Sequence, residues 1–154
     1  MNRSHPSARR RTAGFSLIEL VIVIVLIGIM AGMAVPKLTN TIRVTRADSA
    51  LGGLSTDLMY ARMLAVRNGQ RITVWLAPTG YQIVIVQPDG TLRMARSVNT
   101  ASEYPGLTLA SSAPSLTFDS RGLLQDGAVT VSATQGSITK TLQVLPTGRV
   151  SRDY

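Results

Sequence analysis

The sequence predicts an α+β fold in which a long N-terminal helix, membrane-spanning in its first half, packs on an antiparallel β-sheet domain. Three observations carry this. Residues 15–35 form one apolar run whose only charge is Glu19. Residues 47–65 place Ala47, Leu51, Leu54, Leu58, Ala61 and Ala65 at alternating spacings of four and three, the period of one helix face. From residue 71 the pattern changes to short runs of β-formers separated by Pro-, Asn- and Gly-containing turns. One long helix followed by about seven short strands leaves a helix-on-sheet arrangement as the way to bury both apolar faces.

The chain opens with a basic leader, residues 1–14, holding Arg3, Arg9, Arg10 and Arg11. The whole sequence has 16 basic and 8 acidic residues, so about half of its net +8 lies in this leader. Cationic residues before a span stay in the cytoplasm, which places the N-terminus inside and everything from Pro36 onward outside, in the periplasm of a two-membrane cell. A nucleic-acid-binding arm is the competing reading of the cluster, and its position against an apolar span opposes it.

Residues 15–35 are long enough to cross a bilayer, since about 20 residues at about 1.5 Å each cover the hydrocarbon. Glu19 is costly there, by a few kcal/mol, and a carboxylate in such a place calls for a positive partner. No cation lies within the segment itself. Ser16 and Glu19 also have capping-box spacing, and the dipole at a helix start favours an acid, so pairing within its own first turn is the alternative for Glu19. A secretory signal peptide cut near Gly32-Met33-Ala34 is the alternative for the whole segment. The apolar run after Glu19 is too long for a signal core, and that core should not begin beside an acid.

The helical pattern resumes over residues 36–69. One face carries the apolar stripe; the other, with Arg43, Arg46, Asp48, Asp57, Arg62 and Arg67, is expected to face water. Gly52-Gly53 weakens the helix by about 1 kcal/mol per glycine and is a place for a bend. Asn68-Gly69, with Arg67 in the last turn, is a stop signal. A helix from Phe15 to Asn68 would extend about 81 Å.

Residues 70–154 form the β-rich domain. Strands are predicted at 71–76, 81–86 and 91–98, with turns at Pro78-Thr79-Gly80 and Pro88-Asp89-Gly90. Residues 99–115 read as loop around a short apolar stretch at 107–109, with another at 116–118. Strands follow at 128–133 and 138–144, and a last one at 149–153 after Pro146-Thr147-Gly148. Lys140 shares a face with Ile138, Leu142 and Val144, which suggests a strand edge where its head can reach water.

The inventory leaves little room for chemistry. The chain has no cysteine, which removes disulfides and thiolate metal sites. Its one histidine, His5, is in the leader, so His-based acid–base, triad or zinc sites are excluded after that segment is lost. Asp119 and Asp126 sit by glycine-containing turns without the dense oxygen-ligand spacing of a calcium loop, and turn chemistry is the stronger reading. No enzyme activity, cofactor or metal is expected.

The run Gly14-Phe15-Ser16-Leu17-Ile18-Glu19, behind its basic leader, resembles the processing site of the type IV pilin superfamily. The resemblance implies a prepilin peptidase/methyltransferase that cuts between Gly14 and Phe15 and N-methylates Phe15. It makes Glu19 and Pro36 assembly residues: Glu19 registers an incoming subunit against the free α-amino group of its neighbour's Phe15, and Pro36 stands where many members carry a helix-bending proline. Residues 58–69, Phe118-Asp119-Ser120-Arg121-Gly122 and Gly148-Arg149-Val150 are similar to the H-type minor pseudopilins of type II secretion and to the related FimT-type minor pilins.

Two functions are implied. One is a minor pseudopilin, anchored in the inner membrane and assembled with other pseudopilins into the tip region of a periplasmic pseudopilus that drives export of folded proteins across the outer membrane. The other is a minor pilin of a type IV pilus, acting in assembly, motility or DNA binding and uptake. For the second, Gly148-Arg149-Val150-Ser151-Arg152 resembles a Gly-Arg-x-Arg DNA-binding element with one residue too many. Arg149 and Arg152 with Arg93, Arg96, Arg121 and Lys140 are the candidate DNA contacts. The competing reading is a solvated surface partly neutralised by Asp153.

Overall fold

The structure, a computed structural model, describes residues 15–152, except for the side chains of 33–37. It divides into two compact units, Met1–Leu38 and Thr39–Tyr154.

Helix α1 (Leu17–Asn68) is assigned continuously, running through Pro36 and through Gly52-Gly53. It stops where the sequence says. Gly69 adopts a left-handed φ of 62°, and the Gln70 N–H reaches back to the Ala65 carbonyl at 3.2 Å, which satisfies a terminal acceptor the helix cannot.

Among the described residues eight strands follow α1: β1 (Arg71–Ala77), β2 (Gly80–Val86), β3 (Leu92–Asn99), β4 (Leu107–Ser111), β5 (Ser115–Phe118), β6 (Val129–Gln135), β7 (Ile138–Val144) and β8 (Val150–Arg152). They form two four-stranded sheets, in the orders β3-β2-β1-β5 and β4-β6-β7-β8. All described pairings are antiparallel.

Residues 99–115 are not the loop the sequence suggested. Asn99 caps a one-turn helix α2 (Thr100–Glu103), its Oδ1 accepting from the Ala101 and Ser102 N–H groups, and two strands follow. β4 pairs with β6 and β5 with β1, both distant in sequence, so no local turn advertises them.

The core of the second unit is a single cluster. Every residue of the expected stripe, Ala47, Leu51, Leu54, Leu58, Ala61 and Ala65, is buried against inward side chains of both sheets, among them Ile72, Ile83, Leu116, Phe118, Val131 and Leu142. Lys140 fits its place. β8 pairs only with Leu142, Gln143 and Val144, so the first half of β7 has no partner on that side among the described residues. The Lys140 Nζ comes within 3.9 Å of Asp48 Oδ1 on α1.

Among the described residues no helix is long and apolar enough to cross a membrane. The span read at 15–35 therefore stands on the sequence.

Candidate assembly segment and basic clusters

Gly14 and the leader lie outside the described residues, so one side of the expected cut is Phe15 alone. Phe15 is 85% exposed. α1 then starts with the Leu20 N–H bonded to the Ser16 carbonyl at 3.2 Å, and Glu19 stands in the first turn, where the helix dipole favours a carboxylate. From Leu17 to Met30 the large apolar side chains are all exposed. An exposed apolar run of this size is larger than the patches ordinary soluble surfaces carry. Pro36 falls inside α1, and its side chain is not among those described.

Asp57 corrects the sequence reading. Expected on the wet face, it is buried, because it lies three residues after Leu54 and four before Ala61 and so falls on the stripe itself. It is satisfied there from two strands. The Tyr81 hydroxyl on β2 donates to its Oδ2 at 2.7 Å, and the Arg96 Nε on β3 approaches the same oxygen at 3.0 Å. Burial, then the bond to Asp57, holds the Tyr81 hydroxyl well above its ordinary pKa, so it stays a donor. A tyrosine at the start of a strand facing an acid on the helix was the available signal.

The candidate DNA contacts are divided rather than assembled. Lys140 and Arg152 project from the second sheet onto α1, at Asp48 and at Gly52; a methyl added to Gly52 would meet the Arg152 Nη1 at 3.2 Å. Arg121 and Arg149 belong to two loops that meet lower on the same helix. Arg93 and Arg96 are on β3, the opposite edge of the first sheet from β5 and the Arg121 loop, and Arg96 is committed to Asp57. Three strand spacings, about 14 Å, separate those edges. Asp153 lies outside the described residues.

The Arg121–Arg149 junction joins all three segments noted as family-like. Arg62 of α1 donates through Nε to the Gly122 carbonyl at 3.1 Å. Gly148 lies against the Gly122 carbonyl and Arg62, with φ 74°, so the position demands both a left-handed backbone and the lack of a side chain.

Asp119 builds the adjoining loop. Its Oδ1 accepts from the Arg121 and Leu123 N–H groups, both at 2.9 Å, and its Oδ2 pairs with the Arg121 guanidinium at 3.0 Å. The Leu123 N–H foremost, with Arg121, holds this carboxyl below the usual range. Asp126 receives the Thr117 N–H at 2.7 Å. Both carboxylates are thus engaged locally, Asp119 with its own loop and the Arg121 guanidinium and Asp126 with the backbone of β5.

Comparison with known proteins agrees with this anatomy. A family model described as Type II transport protein GspH matches residues 50–148, and one described as Prokaryotic N-terminal methylation motif matches residues 9–35. Type II secretion system protein H of Xanthomonas campestris pv. campestris is 34% identical over 88 residues, 52% of each chain, so this chain spans about half the length of the curated relative it matches. The minor pilin FimU of Pseudomonas aeruginosa shares the fold with a TM-score of 0.62 at 22% identity, over 71% of this chain and 90% of that one. The minor pseudopilin EpsH of Vibrio cholerae does so with a TM-score of 0.59 at 14% identity, over 70% and 96%. Because the matched region runs from the buried half of α1 through both sheets to Gly148, the chain belongs to the family of the type II transport protein GspH.

Proposed function

We propose that this chain is a minor pseudopilin subunit of a type II secretion system. It is made as a precursor, held in the inner membrane by residues 15–35 with its N-terminus in the cytoplasm, cut between Gly14 and Phe15, and N-methylated at Phe15 by a prepilin peptidase/methyltransferase. It then joins other pseudopilins in the tip region of a periplasmic pseudopilus that serves export of folded proteins across the outer membrane. Its activity is binding, not catalysis.

The observation that carries this is the joining, in one chain, of an N-terminal methylation motif over residues 9–35 to a GspH domain over residues 50–148. The exposed apolar side chains of Leu17 to Met30 are consistent with it, since both a bilayer and a filament core would cover them. In a filament core an unpaired carboxylate is strongly penalised, so Glu19 pairs with the α-amino group that processing exposes on a neighbouring subunit.

The test is complementation in a strain lacking its own H-type pseudopilin, with secreted enzyme and pilus-dependent motility measured side by side. Restored secretion supports the reading. Secretion left unrestored while a strain lacking an H-like minor pilin regains motility or DNA uptake transfers the chain to a type IV pilus.

A further inference from the structure

The last turns of α1 have an outer face that neither sheet covers. Met59, Met63 and Val66, spaced by four and three, are each more than half exposed, and Tyr60 and Leu123 flank them at 37%. With Arg62 and Arg67 the three line a shallow cleft of about 400 Å³. The rim is basic. Arg62 and Arg67 line the cleft, and the exposed Arg121 and Arg149 are the chain neighbours of Gly122 and Gly148, which lie against Arg62 and, for Gly122, Val66. No acid lines the cleft among the described residues, and the nearby Asp119 carboxylate is already taken by Arg121 and the loop backbone. Among the described residues Arg67 and Arg149 have no ion pair.

We infer that this face is a docking surface for a second protein that presents an apolar ridge flanked by carboxylates. Exposed methionines give an adaptable apolar centre, and Met, Tyr and Arg are the residue types enriched where proteins meet. Arginines around such a centre select a partner by charge and speed its approach. The same rim argues against a second copy seated face to face, since Arg67 and Arg149 would then oppose their own kind. Duplex DNA fits less well: its contacts would come from the arginines alone, and three aliphatic side chains at the centre offer a phosphate nothing. The inference uses no residue of the N-terminal segment and stands apart from the proposed processing and membrane anchorage.

The full-length chain in mild detergent is titrated with two fluorescent amphipathic helical peptides that share one leucine ridge, flanked in one by glutamates and in the other by lysines, and with a short DNA duplex. The glutamate peptide is expected to bind at least about 10-fold more tightly than the lysine peptide and to weaken as salt rises. Met63→Asp should abolish its binding, and Arg67→Glu combined with Arg149→Glu should reverse the preference between peptides. These side chains are exposed, so the circular dichroism of each variant should match that of the parent, and Met63→Ala supplies a milder variant with the same expected direction. Equal binding of the two peptides, binding unchanged by Met63→Asp and Met63→Ala, or tighter binding of the duplex than of the glutamate peptide would each overturn the inference. None of these readouts depends on secretion, so failure of the proposed function leaves the result interpretable.

Discussion

The hydroxyl of Tyr81 donates to the Oδ2 of Asp57 over 2.7 Å, tying the last third of α1 to the first residues of β2, while Arg96 brings β3 to the same oxygen. A buried carboxylate is tolerable only when it is satisfied, and this bond and this ion pair supply that from two strands. Asp57→Ala should cost about 2–3 kcal/mol, because it leaves the Tyr81 hydroxyl buried without an acceptor. Tyr81→Phe should cost about 1 kcal/mol, since Arg96 still holds the carboxylate. Urea midpoints of the two variants check the order, and equal costs would refute this account of the cluster.

Burial of the Tyr81 hydroxyl, with its bond to Asp57, predicts an alkaline signature. The Tyr81 hydroxyl ionises above its ordinary 10.0 in the folded chain, so the stability it contributes is complete below that pH and is lost as pH rises past it toward the folded value. Stability measured from about pH 8 to about pH 11 should therefore fall, and Tyr81→Phe should flatten the fall. Tyrosinate absorbance gives a second view: one of the chain's four tyrosines should ionise only as the protein unfolds.

Gly148 and Gly90 form a matched pair. Both have a left-handed φ, 74° and 83°, but a methyl at Gly148 would run into the Gly122 carbonyl and the Arg62 side chain, whereas at Gly90 it meets open space. Gly90→Ala should cost about 1 kcal/mol from the backbone alone. Gly148→Ala should cost more, about 2–3 kcal/mol, and should loosen the Arg121 loop as well. Thermal melts of the two variants decide the comparison.

Asp119 makes an acid-side prediction. Its folded pKa lies below the ordinary 3.8, so its contribution is complete above that value and disappears as pH falls through the lower, folded one. Amide exchange at Leu123 should therefore quicken in that acid range, and Asp119→Asn should show a flatter response. Protection at Leu123 that stays constant down to about pH 2 in the parent would count against the Asp119 bonds as the element holding the loop.

Much of the fold was legible because its signals are local. The 47–65 stripe, the Asn68-Gly69 stop and the β1–β2–β3 meander each lie within one stretch of sequence, and the structure places them where the periodicities do. The strands at 107–111 and 115–118 were illegible as strands: they are short, and their partners, β6 and β1, are far along the chain. The division into two sheets was missed for the same reason. Asp57 was misplaced because hydropathy sorts an aspartate to the wet side, while helical geometry put it among Leu54, Leu58 and Ala61. The basic residues show the converse limit. Composition gathers Arg93, Arg96, Arg121, Lys140, Arg149 and Arg152 into one class, but topology sends them to separate edges and assigns three of them acids on or near α1 and the Asp119 loop.

The account depends most on what becomes of the N-terminus, and the intact mass of the full-length product, purified from cells with an active prepilin peptidase, tests that directly. The predicted product begins at Phe15 and carries the added mass of one methyl group, and Glu19→Leu should leave this mass change intact while removing the protein from assembled filaments. A product that keeps residues 1–14, or one that begins at Val35, would contradict the reading of this chain as a processed filament subunit.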